Sequence, residues 1–468
     1  MSTNLNISYA QHHLTNPVHR NIADILDKNR RGGDGLKDGK PTLSSEQVVE
    51  TSIRAGGHSQ SLPAGQDAVV TYDFADTAQS NTEGQAIGQF SDGQKNAVRE
   101  TLAHFSDVAN VKFKESAMTS SNHMQFKVED SLFDWKDPFY VSSNNEEGAP
   151  SQVPLLRRHA QELEQPNNYG SHVVAKAAAF KLGLPSTASV APGTEYAEDS
   201  LAYSLRSPKL EARSGMQFWK HSLENKYSSA PMMDDIATLQ KLHGPNNETR
   251  SGNTTYGFNS TADRDLFKLN TENDFPVFSV WDAGGEDTLD FSGYKDNQVI
   301  NLTPGSFSNV GGGVGNVSIA PGSMIEVAKG GQGDDIIIGN SADNELFGND
   351  GNDTLYVEAN SGYNQLWGGA GKNTFVIGAG DPSAETNLIE LQDFVSGRDK
   401  LDVSALKAAS GRDEIRVVSE FSGRGGEANM EYFPAANITW LRFDINGDKE
   451  IDAMISVSGK IELTDIQA

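Results

Sequence analysis

Apolar positions recur along this chain with periods that change from one stretch to the next. Residues 69–74, Val-Val-Thr-Tyr-Asp-Phe, alternate as a half-buried strand does. From Ser91 the period becomes helical: Val98, Leu102 and Phe105 share one face, and Ser91 with Gln94 has the makings of a capping box. Between Gly330 and Val376 the pattern is neither of these. A nine-residue unit, G-G-x-G-x-D-x-U-x with U a large apolar residue, repeats there, and such a period marks a parallel β-roll that binds calcium.

Gly330-Gly331-Gln332-Gly333-Asp334-Asp335-Ile336-Ile337-Ile338 is a full copy of the unit. The copy from Gly348 to Tyr356 is nearly complete, and the one from Gly368 to Val376 keeps its glycines but has Asn373 in place of aspartate. The intervening copies, ending at Phe347 and Trp367, carry Asn344 and Asn364 at that position. In each unit six residues turn and three form a strand, so Ile337, Leu346, Leu355, Leu366 and Phe375 are expected to stack inward. Neighbouring turns then offer carbonyl and carboxylate oxygens to a shared calcium, a hard cation that takes six or more such ligands. The candidates are Gly331, Gly333, Asp335, Gly348, Asp350, Gly351 and Asp353. Only Asp335 and Asp353 are aspartates at the key position, which predicts fewer or weaker sites than a full array.

The 468 residues exceed what one core holds, so more than one domain is expected. A net charge of −26, from 64 acidic and 38 basic residues, argues against nucleic acid or an anionic membrane as partner and suits hard cations. With no cysteine, neither disulfides nor thiolate metal sites are possible. No apolar run reaches membrane-spanning length, and residues 1–31 lack the apolar core of a cleaved secretory signal. Residues 1–40 are polar and read as a flexible arm. Near the other end, Asp444, Asn446, Asp448, Glu450 and Asp452 imitate a calcium loop, but an Asn446-Gly447 hairpin explains them better.

Several stretches resemble the serralysins, secreted metzincin proteases with calcium repeats of the RTX type. They include Gly39-Lys40-Pro41-Thr42-Leu43-Ser44, followed by a first helix at Glu46-Gln47-Val48-Val49, and the junction from Ser106 to Phe113. The likeness fades between about 125 and 165, where Asp134-Trp135-Lys136-Asp137-Pro138 and Arg157-Arg158-His159 replace the family's edge-strand segment. It is dense from Ala230 through Pro245 and in Trp281-Asp282-Ala283-Gly284-Gly285-Glu286-Asp287. The resemblance turns the arm at 1–40 into a pro-segment, and implies an α+β or α/β metzincin-like domain at 41–245, an all-β parallel β-roll at 246–380 and a β-sandwich-like C-terminal domain at 381–468. It also implies Asp282, Gly284 and Asp287 as a further calcium turn, with Arg250, Gly252 and Glu326 as ligands. The end of the chain, Ile461 to Ala468, is similar to an uncleaved type I export signal, which makes the type I secretion machinery a partner and the protein extracellular.

The family's zinc helix follows H-E-x-x-H-x-x-G-x-x-H, two histidines one turn apart with a glutamate to take the proton of bound water. In the matching stretch, Tyr169 to Leu184, the corresponding places read Lys176, Ala177, Phe180 and Ser186. A lysine cation has no lone pair for zinc, and a phenyl ring has no donor. The Met-turn aligns with either Ser204-Leu205-Arg206-Ser207-Pro208-Lys209 or Ser214-Gly215-Met216-Gln217-Phe218-Trp219, and Phe218 or Pro208 then replaces the zinc-facing tyrosine. His104, His123, His159, His172 and His221 show no ligand spacing, and Gly57-His58-Ser59-Gln60-Ser61 lacks the last glycine of a nucleophile elbow. These losses predict no zinc and no enzyme: a non-proteolytic, calcium-binding protein that engages an unknown extracellular protein as decoy, inhibitor binder or host-targeting factor. The alternative is a secreted metalloendopeptidase with atypical zinc ligands.

Overall fold

The computed structural model describes residues 17–33, 36–55, 68–75, 79–80, 86–117, 122–129, 151–165, 167–187, 195–219, 226–381 and 385–468. His221, the 57–61 stretch and the 134–138 stretch lie outside them. The chain forms two compact units, residues 31–325 and residues 1–30 with 326–468.

In the first unit the strands Val111–Glu115, Ala68–Phe74, His123–Glu129 and Ser151–Leu156 are neighbours in that order, all parallel. Alternation along Ala68–Phe74 puts Ala68, Val70 and Tyr72 inside. Against them pack Val98, Leu102 and Phe105 of one helix and Val174, Ala175 and Ala178 of another. With α1 at Pro17–Asn29 and α2 at Ser45–Ala55, the first of these helices is α3, Asp92–Val108. Its capping box is formed as expected, Ser91 Oγ accepting from Gln94 N at 3.0 Å and Gln94 Oε1 accepting from Ser91 N at 2.9 Å. After α4, Arg157–Glu162, the second packing helix is α5, Tyr169–Lys181. The small side chains of Ala175, Ala177, Ala178 and Ala179 let it lie deep in the core. Beyond α6, Met233–His243, the C-terminal end of α3 is tied to later chain by Asp107, which Arg264 holds in a fork at 2.8 and 2.9 Å.

In the second unit the chain coils between two parallel sheets. One holds Ile336–Ile338, Thr354–Glu358, Thr374–Gly378, Lys400–Asp402 and Ile466–Gln467. The other holds Val327–Lys329, Asn344–Phe347, Asn364–Trp367, Leu388–Leu391 and Ala453–Ser458. Register places Ile337, Leu355, Phe375 and Leu401 side by side in the first, and Ala328, Leu346, Leu366 and Leu391 in the second. All eight are wholly buried, including the five expected from the repeat. Coiling does not stop at 380, since the strands at 388–391 and 400–402 extend the same sheets. Ile438–Asp444 and Glu427–Phe433 then add antiparallel strands to one edge, and α7, Ser404–Ala409, follows the other sheet.

Residues 17–29, expected within a flexible arm, are folded. In α1 the apolar Val18, Ile22, Ile25 and Leu26 recur at helical spacing and pack on Ile336, Ile338, Tyr356 and Val376. Polar neighbours on the exposed face dilute the composition of the segment and hide that stripe.

Cutting Leu355 back to alanine should cost about 2–5 kcal/mol, the range for an aliphatic side chain removed from a tight core. Chemical denaturation of the calcium-loaded protein measures it, and a cost under about 0.5 kcal/mol would show that the inward stack does not carry the roll.

Candidate functional site

The turns of the roll are joined by a ladder of side chains. Asp335 N donates to Asp353 Oδ1 at 2.8 Å, Asp353 N to Asn373 Oδ1 at 2.9 Å and Asn373 N to Asp399 Oδ1 at 3.0 Å. The steps span 18, 20 and 26 residues, so coils of unequal length keep one register at the turn. A second, neutral ladder runs through Asn344 and Asn364, Asn344 N donating to Asn364 Oδ1 at 3.2 Å. Asp399 and Asp393, which accepts from Gly368 N and Gly369 N at 2.8 and 2.7 Å, were missed in the sequence. Their signal is Gly397-Arg398-Asp399-Lys400-Leu401, a shortened G-x-D-x-U without the glycine pair.

Asp335 and Asp353 are each about 1% exposed, and Asp353 Oδ2 is buried with no hydrogen-bond partner. Burial, then the charges of Asp335, Asp334 and Asp350, push the Asp353 carboxyl up to about 7 against the hydrogen bond from Asp335 N. Gly348 and Gly351 leave the space open: a Cβ on Gly348 would sit 2.4 Å from Asp353 Oδ2, and one on Gly351, at φ +128°, would sit 2.2 Å from the Gly333 carbonyl oxygen. An uncompensated buried carboxylate oxygen beside backbone carbonyls is a donor set that fits calcium. Among the described residues no three His, Asp or Glu side chains converge as a metal site. Carbonyl oxygens would therefore supply much of the coordination.

Upstream, Arg250, Gly252, Asp282, Gly284 and Asp287 come together in the first unit. Asp287 Oδ1 accepts from Thr254 N at 2.7 Å, Asp282 Oδ1 from Gly284 N at 2.8 Å and Oδ2 from Tyr256 OH at 2.6 Å. A Cβ on Gly285 would meet Gly252 at 2.6 Å, so the two loops touch. Arg250 takes φ +49°, and its guanidinium donates to Asp107, Asp263 and the Trp281 carbonyl. Glu326 belongs to the other unit. The acidic run at 444–452 is a hairpin held by backbone donors, Asp444 accepting from Gly447 N and Lys449 N, and Asp452 from Ile445 N and Asn446 N.

On α5, Lys176 is buried at 5% exposure, and Phe180 is 40% exposed with the Arg206 guanidinium 5.3 Å from its ring centroid. Ala177 is buried, Ser186 is half-buried and Phe218 is packed in a cluster with Met216 and Tyr203. One turn before Lys176, His172 Nδ1 donates to the Ser228 carbonyl at 3.0 Å. Burial and the Lys176 charge push its imidazole down to about 3. The zinc that the helix pattern implies is not matched by an ammonium, a methyl group and a phenyl ring.

Residues 245–467 match the family described as Peptidase M10 serralysin C terminal. The chain is similar to metalloprotease AprA of Pseudomonas entomophila (strain L48), 38% identical over 93% of this chain and 92% of that one. It is also similar to metallopeptidase AprA of Pseudomonas marginalis, 38% identical over 94% of each, and to serralysin C of Dickeya chrysanthemi, 34% identical over 97% of each. Part of it is similar to the AlgE6R3 subunit of the Azotobacter vinelandii mannuronan C5-epimerase at 20% identity, a TM-score of 0.22, and 30% and 76% coverage, too slight to bear on the fold. The relatives correct the expectation that this chain is not an enzyme. Proteins 34–38% identical along nearly its whole length are named metalloproteases, so the family points to an enzyme. That expectation carried the chemistry of a few side chains on one helix over to the entire protein.

Asp353→Asn separates the two states of the roll. An ionised Asp353 costs the calcium-free fold stability as pH rises from about 4, where the unfolded carboxyl titrates, to about 7. At pH 8 the calcium-free variant should therefore melt above wild type, with the gap closing toward pH 4. Its calcium affinity should fall by at least roughly the tenfold that loss of even an outer-shell group brings. Equal calcium titrations for the two proteins would exclude Asp353 as a ligand.

Proposed function

The chain belongs to the serralysin family, and from that premise we propose an exported protein whose roll is ordered by calcium outside the cell and whose N-terminal α/β unit engages extracellular polypeptides. The observation that carries this reading is the buried, unpaired Oδ2 of Asp353, which lies with the Gly368 carbonyl around the bare Cα of Gly348. Without a cation, the stacked carboxylates repel across a site from which water is largely excluded. Calcium binding to the ordered turns alone adds its binding energy to folding. Cytosol is poor in calcium and the exterior rich, so such a roll stays open on the type I export route and closes after it.

Gly331, Gly333, Asp335, Gly348, Asp350, Gly351 and Asp353 are proposed to hold calcium in the roll. Arg250, Gly252, Asp282, Gly284 and Asp287 are proposed for the upstream turn. The relatives' names favour metalloendopeptidase activity as the form that engagement by the N-terminal unit takes. On that reading the zinc ligands are not those of the family pattern, since Lys176, Phe180 and Ser186 occupy its places. Net charge gives no support to a nucleic-acid partner, and no helix of the described residues is long and apolar enough to cross a membrane.

Calcium added to the metal-free protein should raise its β signal in circular dichroism and its melting temperature, reversibly with chelator and not with magnesium. No change in either would remove the calcium reading. Casein offered to the calcium-loaded protein, with zinc measured by elemental analysis, tests the N-terminal unit. Cleavage that stops when stoichiometric zinc is stripped establishes the endopeptidase. Calcium-dependent retention of intact casein on the immobilised protein establishes engagement alone, and neither cleavage nor retention overturns the polypeptide-directed role.

A further inference from the structure

Helix α1 rests on the strands that leave the charged turn ladder. Ile336 and Ile338 lie just past Asp335, Tyr356 just past Asp353 and Val376 just past Asn373, and these form the surface under Val18, Ile22, Ile25 and Leu26. The next strand supplies Asp402, whose Oδ1 lies 2.8 Å from His19 Nε2, with both side chains buried. Asp402 also accepts from Ser404 N at 2.9 Å, which fixes the carboxylate that receives α1.

A helix of 13 residues is marginal in water by itself, so α1 owes its fold to this surface. The surface exists only when successive coils are in register. Register at the turns is what the Asp335, Asp353 and Asn373 ladder enforces, and that ladder holds the unpaired carboxylate oxygen. The N-terminal segment and the cation therefore draw on the same ordered state of the roll.

We propose that α1 is a calcium-linked strap: it folds onto the roll only when calcium has ordered the turns, and its docking in return tightens calcium binding. The inference rests on the calcium reading above and goes beyond it by giving the N-terminal segment a role in calcium affinity. Reciprocity is required by linkage, because a segment that binds only the ordered state favours every other ligand of that state. His19 at the strand of Asp402 and Ile22 at the centre of the apolar face are the positions where the linkage is concentrated.

The test uses the full-length chain, with hydrogen exchange followed at residues 17–29 and 336–376 and calcium titrated by calorimetry. Both segments should exchange fast without calcium and slowly with it. Ile22→Asp should raise the half-saturating calcium concentration about fivefold or more, the lower end of ordinary coupling between sites. Asn21→Asp, the same charge change on the exposed face, should stay within about twofold of wild type. If residues 336–376 do not respond to calcium, the calcium reading itself fails. If they respond while residues 17–29 exchange alike in both conditions, or Ile22→Asp titrates like wild type, the strap is overturned and the calcium reading stands. His19→Ala leaves the apolar face intact should Ile22→Asp not fold, and an unchanged midpoint in that variant also overturns the strap.

Discussion

Two buried aspartates on adjacent coils of a parallel roll set the terms for the rest of its unit. Asp353 accepts from Asp335 N and so keeps one turn above the next, Asp335 accepts from Gly331 N within its own turn, and Asp353 Oδ2 is left without a donor. Burial makes the remaining charge costly, and each carboxylate raises that cost for the other. Strand pairing, the apolar stack and the seat of α1 all follow from the register that this ladder keeps.

The asparagine ladder on the other flank shows the contrast. Asn344 and Asn364 perform the same acceptor role without charge, so register on that side needs no buried carboxylate. The buried charge of the two ladders is thereby confined to one flank. On the same charged side Asp399 extends the ladder by one coil while paired with Arg398 at 2.9 Å, a neutralisation that Asp353 lacks.

In the N-terminal unit the physical theme is burial of small side chains. A helix of alanines can lie against a parallel sheet at close range, and this places Lys176 inside while Phe180 faces outward. The altered positions are therefore integrated into the core to different degrees. The family relationship runs the length of the chain, and the composition of one helix does not define the activity of the whole.

Much of the roll was legible in the sequence because a nine-residue period with glycine at fixed places admits few conformations, and its inward residues follow from strand alternation. The capping box of α3 and the strand Ala68–Phe74 were legible for the same reason, since each is a local pattern of backbone need and side-chain supply. Tertiary structure alone decided the rest. Asp393 and Asp399 join the ladder from outside the repeat because long coils can return to one register. Ile22 and His19 find partners hundreds of residues away that no local period encodes. The exposure of Phe180 and burial of Lys176 were settled by which face of α5 the sheet and neighbouring loops leave open, a property of packing rather than of residue type.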